Sequence, residues 1–279
     1  MKHAKLLAGI LSLLACFPFA AHAQTVTTVT SDLLLGFRAS GGTGASLNLQ
    51  VDLGAVTNYT TGAFSTPGIH AITNLSVNDL SSLTAGYGAS WNTRSDLTWG
   101  IAAATGATNK TLYATFAETT PGTAFAGTID VQNQSLRNAA AGKIQGTVTA
   151  LNGQNQTANS IYSSVLSASD PASWTTNGFA DAGAAFSFFD SSTFENSTNI
   201  TGGSYAVSDL YKLATNGTST YVGSFALNSA GALFFSTTAS SFAATPVPEP
   251  STYAAIAGVL VLGVAAWRRQ QKKAAAAAV

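Results

Sequence analysis

The sequence predicts an all-β, mainly antiparallel body of β-sandwich or jelly-roll-like architecture with one to three short helices. Three observations carry this prediction. Several segments of five to seven residues alternate apolar and polar side chains, as strands do. Turns rich in Gly, Asn and Ser separate these segments. Ser and Thr supply 63 of the 224 residues from 24 to 247, and Thr-rich strands with Ser-rich turns are typical of β proteins.

The alternating segments group into two hairpins and a meander. Strands are predicted over residues 32–38, 47–53, 97–103, 112–117, 209–213, 221–227 and 232–236. The Gly-rich turn 40–44 joins the first two strands, and the turn 106–109 joins the next two. Turns at 215–218 and 228–231 connect the last three strands into a meander. We therefore expect neighbouring strands to pair with each other.

Helical signals are few. Ser76 stands three residues before Asp79, the spacing of a capping box with Asp in place of Glu, and this predicts a short helix over 77–85. An apolar stripe from Leu136 to Leu151 predicts a helix that Gly142 and Gly146 weaken. Asp170-Pro171 predicts a third, short helical turn ending near residues 177–178.

Charge is scarce and unevenly distributed. The whole chain has 12 Lys and Arg against 12 Asp and Glu, and only 9% of its residues are charged, whereas soluble domains have about 25%. Between residues 24 and 247 there are six basic and eleven acidic residues, a net charge of −5. An acidic body excludes a broad nucleic-acid-binding surface, and 46% hydrophobic residues exclude a disordered chain. Cys16 is the only cysteine, so no disulfide is expected in the body.

Residues 1–23 are predicted to form a secretory signal peptide. Two lysines precede an apolar run over 6–20, and the small residues Ala21 and Ala23 occupy the positions that signal peptidase recognises. A retained anchor is the alternative, but the run is shorter than the ~20 residues of a membrane span. A second alternative is lipidation of Cys16, because Leu13-Leu14-Ala15-Cys16 is similar to a lipobox.

Residues 246–279 form a second targeting segment. Pro248, Glu249 and Pro250 precede an uncharged run over 251–267, and Arg268 and Arg269 follow it. Seventeen helical residues extend about 25 Å, enough for a short transmembrane helix. The basic tail should stay cytoplasmic, so the body would lie on the outer side of the membrane. An ordinary single-pass anchor is the alternative interpretation.

The tripeptide, the apolar helix and the arginines, in this order, resemble the PEP-CTERM sorting signal of Gram-negative bacteria. The resemblance implies an exosortase as partner, a membrane-embedded protease that recognises the region of Pro248, Glu249 and Pro250 and removes the helix. It implies that Arg268 and Arg269 stop transfer. It also implies export to the cell surface or the extracellular space, with transient membrane anchoring, in bacteria that make exopolysaccharide and biofilm matrix.

The body, residues 24–245, offers few catalytic candidates. His70 is its only histidine, so a Ser-His-Asp triad or a multi-histidine metal site is not expected. Asp181, Asp190 and Glu195 flank the aromatic run 186–189, an arrangement compatible with a glycosidase or, through oxygen ligands, with a Ca²⁺ site. The alternative is that the aromatic residues are strand core and the acids lie in turns. We predict no catalytic residue, cofactor or metal.

Trp91, Trp99 and Trp174 are candidates for sugar contacts, because flat aromatic faces stack on sugar rings. Packing in the core is the alternative role for each. The sequence thus predicts a non-enzymatic, structural or adhesive component of the exopolysaccharide matrix, with signal peptidase, exosortase and possible extracellular polysaccharide as partners. The alternative is a carbohydrate-binding module, or a glycosidase, that acts on such a polysaccharide.

Overall fold

The computed structural model describes residues 25–75, 79–118, 120, 122–127, 129, 133–155, 157, 160–176, 196–197, 205–214, 218–243 and 262. The chain divides into two compact units, residues 1–243 and residues 244–279. The described part of the first unit is called the body below. Leu262, which is helical and 71% exposed, is the single described residue of the second unit.

Ten strands dominate the body. They are β1 Asp32–Ala39, β2 Leu47–Ala55, β3 Ile69–Ile72, β4 Leu97–Thr105, β5 Thr111–Ala117, β6 Ser163–Ser167, β7 Asn196–Ser197, β8 Tyr205–Leu213, β9 Ser219–Asn228 and β10 Leu233–Ser236. Nine strands follow the order β3-β10-β9-β8-β5-β4-β1-β2-β6, and β7 pairs with β4. Every pairing is antiparallel. The prediction of a mainly antiparallel β body is therefore confirmed.

The predicted hairpins and the meander are present. β1 pairs with β2, β4 pairs with β5, and β8, β9 and β10 follow one another in the sheet. The sequence did not reveal the two-residue strand β7, nor β3 and β6, the two edge strands. β3 has only four residues and follows Pro67-Gly68, and three of the five residues of β6 are serine. Neither segment has enough apolar alternation to be recognised.

The sheet is curled, and Tyr59 shows how strongly. Its hydroxyl donates to the carbonyl oxygen of Leu53 in β2 at 2.9 Å, while its ring lies 5.1 Å from that of Phe235 in β10, centroid to centroid. β2 and β10 are six positions apart in the strand order, which would separate them by about 29 Å in a flat sheet. One side chain can contact both only because the sheet curls around it.

Both faces of the curled sheet are buried. The inner, concave face carries alternate residues of β1, including Leu33, Leu35 and Phe37, within one large hydrophobic core. The outer face carries the intervening residues, such as Leu34, within a second core that includes Trp174. The first six residues of β1, from Asp32 to Phe37, are consequently all buried. A sheet covered on both sides needs few charged side chains, which accounts for the low charge of the body.

Helices cover the two faces. α1 Thr57–Thr60 and α2 Leu80–Tyr87 pack on the concave side, and α3 Gln134–Leu151 packs on the outer side against β4 and β5. α3 confirms the predicted helix, because its apolar stripe from Ala140 to Leu151 is buried. Its two glycines face solvent. α2 ends two residues beyond its predicted end, and the predicted capping residue Ser76 lies outside the described residues.

Two 3-10 helices, Trp91–Thr93 and Ala239–Phe242, complete the described elements. The predicted helical turn at Asp170 is a hydrogen-bonded turn in which Asp170 Oδ1 accepts from the Ala172 N–H at 2.7 Å. The described strands differ from a two-sheet sandwich in forming one hydrogen-bonded sheet, and curling creates the interior that a second sheet would otherwise enclose.

Candidate functional site

The predicted targeting residues lie outside the described residues. These are Ala21 and Ala23 at the signal cleavage site, Cys16, the tripeptide Pro248, Glu249 and Pro250, and Arg268 and Arg269. The predicted membrane helix over 251–267 is described only at Leu262. Within the described part of the chain, no helix combines the length and the apolar character that crossing a membrane requires.

All three candidate tryptophans are buried. Trp99 lies on the concave face at 0% exposure, Trp91 is 2% exposed at the start of its 3-10 helix, and Trp174 is 0% exposed on the outer face. No ring of the three presents a face to solvent, so contact with a sugar would require the surrounding structure to open. Their positions agree with the alternative of core packing.

Trp174 occupies a place that a glycine creates. Its ring lies directly over Gly36 of β1, and a Cβ at residue 36 would overlap ring atoms of Trp174. The loop that carries the ring is fixed to β2, because Gln50 Nε2 donates to the Ala172 carbonyl at 2.7 Å and Asn48 Oδ1 accepts from the Thr175 N–H at 2.9 Å. Asn48 and Gln50 of β2 thus hold the loop that places the Trp174 ring on the outer face of the sheet.

Of the remaining predicted candidates, the structure describes His70. His70 lies on the edge strand β3, where its Nε2 is 2.9 Å from the carbonyl oxygen of Thr66. Asp181, Asp190 and Glu195 lie outside the described residues. Among the described residues, no group of three or more His, Cys, Asp and Glu side chains is arranged to hold a metal ion.

The body also contains two neighbouring carboxyl groups, those of Glu118 and Asp209, which form the Glu118–Asp209 pair. Glu118 follows β5, and Asp209 is a fully buried residue of the neighbouring β8. Both carboxyl groups reach the hydroxyl of Ser224, which lies 3.5 Å from Glu118 Oε1. Ser224 of β9 donates its hydroxyl to Asp209 Oδ1 at 2.5 Å, and the Tyr221 hydroxyl lies 2.7 Å from Ser224 Oγ.

Burial changes the acidity of this pair. Desolvation raises the pKa of Glu118 to about 8, and the hydrogen bond with Asp209 and the Asp209 charge add to the rise. Desolvation also raises the pKa of Asp209, although hydrogen bonds from Ser224, the Phe125 N–H and Glu118 oppose it. Glu118, with its pKa near 8, is therefore largely protonated at neutral pH.

Both carboxyl groups of the pair bind backbone. Glu118 Oε2 accepts from the Gly122 N–H at 2.6 Å, and Asp209 Oδ2 accepts from the Phe125 N–H at 2.5 Å.

A second buried acid pair, Asp32 and Asp52, lies farther along the strand order, on β1 and β2. Desolvation raises the pKa of Asp52 to about 7, and the charge of Asp32 contributes to the rise. Each carboxylate of this pair binds a backbone N–H close to it in sequence, that of Gly54 for Asp52 at 2.8 Å and that of Val29 for Asp32 at 2.6 Å. These acids stabilise local turns and connect no distant segments.

Sequence reasoning missed the Glu118–Asp209 pair. One signal was available: Asp209 is an acid inside a predicted strand and shares a face with Tyr211, so it is an ionisable residue at a position that a sheet buries. The partner could not be inferred, because 90 residues separate Glu118 from Asp209 in sequence and only the pairing of β5 with β8 brings them together.

The decisive comparison concerns the other end of the chain. Residues 246–270 match the family model of the PEP-CTERM protein-sorting motif. The chain carries a PEP-CTERM sorting motif. The matched span includes Pro248, Glu249 and Pro250, the whole uncharged run, and both Arg268 and Arg269. No curated protein and no solved structure matches the chain.

The PEP-CTERM motif supports two statements about this protein. It implies processing by an exosortase, and it implies export to the cell surface or the extracellular space with a C-terminal anchor. The body supplies a folded β domain for export.

Proposed function

We propose that the protein is a non-enzymatic structural or adhesive component of an exopolysaccharide matrix, delivered to the cell surface or secreted by exosortase sorting. The observation that carries the proposal is the PEP-CTERM motif at residues 246–270. In this proposal signal peptidase removes residues 1–23. The helix over 251–267 then holds the chain in the membrane until the exosortase cleaves near Pro248, Glu249 and Pro250.

The body supports a structural role. Its sheet is buried on both faces, its three candidate tryptophans lie in the two cores, and the carboxyl groups of Glu118 and Asp209 bind backbone. The body is also acidic, cysteine-free and rich in hydroxyl groups, properties that suit a hydrated matrix. A folded, inert domain of this type is a suitable scaffold or adhesive unit.

Mass spectrometry of the protein from cells with and without exosortase tests the sorting step. We expect the secreted form to lack the helix over 251–267 and the basic tail, and the intact tail to persist without exosortase. A Pro248→Ala/Glu249→Ala/Pro250→Ala variant should keep its tail and stay in the membrane fraction. Thr245→Ser, immediately before the matched span, is the control and should be processed normally. Secretion of a chain that still carries residues 251–279 would contradict the proposal.

A pull-down with the producer's own exopolysaccharide tests the matrix role. The purified secreted form should bind the polysaccharide or co-fractionate with it, without releasing new reducing ends. Absence of binding at high protein concentration would remove the adhesive role. Turnover of the polysaccharide that disappears in Asp181→Asn or Asp190→Asn would contradict the non-enzymatic proposal and favour a glycosidase.

A further inference from the structure

The Glu118–Asp209 pair organises a loop far from Asp209 in sequence. Through the hydrogen bonds to Gly122 and Phe125, the two carboxyl groups fix the segment that follows β5. Tyr211 of β8 donates its hydroxyl to the Phe125 carbonyl at 2.9 Å, on the same side of the sheet. Three polar groups thus hold one loop, and two of the three are the carboxyl groups of Glu118 and Asp209.

The C-terminal end of the body packs on the same part of the sheet. Asp209 lies opposite Ser224, and the next pair on the same face is Val207 opposite Ala226. Phe242, which is buried, packs against Val207 and Ala226. Successive residues on one face of a strand are about 7 Å apart. Asp209 therefore lies about 7 Å along β8 from Val207, on which Phe242 packs.

The loop and the C-terminal end touch each other directly. Gly122 adopts a φ of 82°, and a Cβ at this position would overlap the backbone and Cβ of Ala243. Ala243 is the last residue of the first compact unit, and the match to the PEP-CTERM motif begins three residues later. Movement of the loop therefore changes the packing around the residue from which the sorting segment continues.

We propose that the Glu118–Asp209 pair is a proton-dependent latch that fixes the C-terminal end of the body. When Glu118 is protonated, the pair holds the loop that carries Gly122 against Ala243. The loop then supports the packing of the neighbouring Phe242 on the sheet. Loss of the proton leaves two carboxylates in contact, so their repulsion and desolvation favour opening of the loop, and residues 239–243 lose one side of their packing.

The direction of the pH effect follows from the acidity of Glu118. Its pKa is raised in the folded protein to about 8 from an ordinary value of 4.5. Stability from this group is therefore full below about pH 4.5 and declines as the pH rises to about 8. The titratable groups that face the pair are Tyr211 from β8 and Tyr221 from β9, and both hydroxyls stay neutral because their pKa values are also raised.

Hydrogen exchange of the full chain, followed by mass spectrometry between pH 6 and pH 9, tests the latch. After correction for the intrinsic pH dependence of exchange, protection of peptides covering 118–127 and 236–243 should fall by about tenfold or more. In Glu118→Gln, whose amide donates to Asp209 and whose oxygen accepts from Gly122, protection should not change with pH. A Glu118→Gln/Asp209→Asn variant, neutral throughout, should behave in the same way.

Asp52→Asn is the matched control, because it removes a carboxyl group with a raised pKa from the other acid pair. It should leave the pH-dependent loss at 118–127 and 236–243 intact. An equal loss in Glu118→Gln, or a loss spread evenly over the whole sheet, would overturn the latch. The measurement needs neither exosortase nor polysaccharide, so the latch and the proposed function can fail independently.

Discussion

The two faces of the sheet are both buried, but they are built from different chemistry. The concave face is filled by apolar and aromatic side chains, and its few polar groups, such as the hydroxyls of Tyr59 and Tyr87, bind strand carbonyls. The outer face mixes an apolar core with buried polar side chains, among them Gln50, Asp52 and Asp209. Those polar groups bind the backbone of loops and turns.

The two faces of the sheet therefore contribute to the fold in different ways. The concave face contributes most through apolar burial, which is non-directional and roughly proportional to the area removed from water. The outer face adds directional hydrogen bonds that decide where the connecting segments lie. We therefore expect truncations on the concave face to cost the most stability, and changes on the outer face to displace particular loops at lower cost.

Tyr59→Ala should have the largest effect. Its ring contacts Phe225 and Phe235, and its hydroxyl binds β2, so truncation removes the side chain that bridges the curl of the sheet. Loss of a buried aromatic residue costs about 3 to 5 kcal/mol in unfolding free energy. Urea unfolding of the secreted form measures this loss.

The matched control for that experiment is Tyr162→Ala, because Tyr162 is 38% exposed. It should change the unfolding free energy by about 0.5 kcal/mol or less. Equal losses for the two tyrosines would show that the concave core is not the dominant source of stability.

Gly36→Ala should come second. The added Cβ would overlap the Trp174 ring, so the ring and its loop must move away from β1. Overpacking of this kind costs about 1 to 3 kcal/mol. We expect a lower urea midpoint together with a changed tryptophan fluorescence spectrum, because the Trp174 ring would leave its buried position.

Gly146→Ala is the control for the glycine change. Gly146 faces solvent in α3, and a Cβ there meets no atom within 4 Å. Because alanine favours the helix, this variant should gain about 0.5 to 1 kcal/mol. A loss at Gly146, or no loss at Gly36, would contradict the description of the outer face as a closely packed core.

The difference between local signals and contacts between distant segments explains what the sequence could predict. The apolar run in 32–38 and the alternation in 221–227 predicted strands correctly, and the turns between strands predicted their pairing, because these signals are local. In β1 the two sets of alternate residues face two different cores. Contacts between distant segments, such as Trp174 over Gly36 or Glu118 with Asp209, depend on the curl and on strand order and leave no local pattern. The sorting motif was recognisable because its three parts are contiguous.

The smallest effect is expected where neither core is touched. Asn133 caps α3, the helix that covers the outer face, by accepting from the Leu136 N–H at 3.0 Å. Asn133→Ala leaves that N–H without its side-chain acceptor and should cost about 1 kcal/mol. Asn133→Asp keeps the acceptor and adds a negative charge at the positive end of the helix dipole, so it should cost nothing. If the two variants unfold at the same urea concentration, the cap does not contribute and α3 is held by its apolar stripe alone.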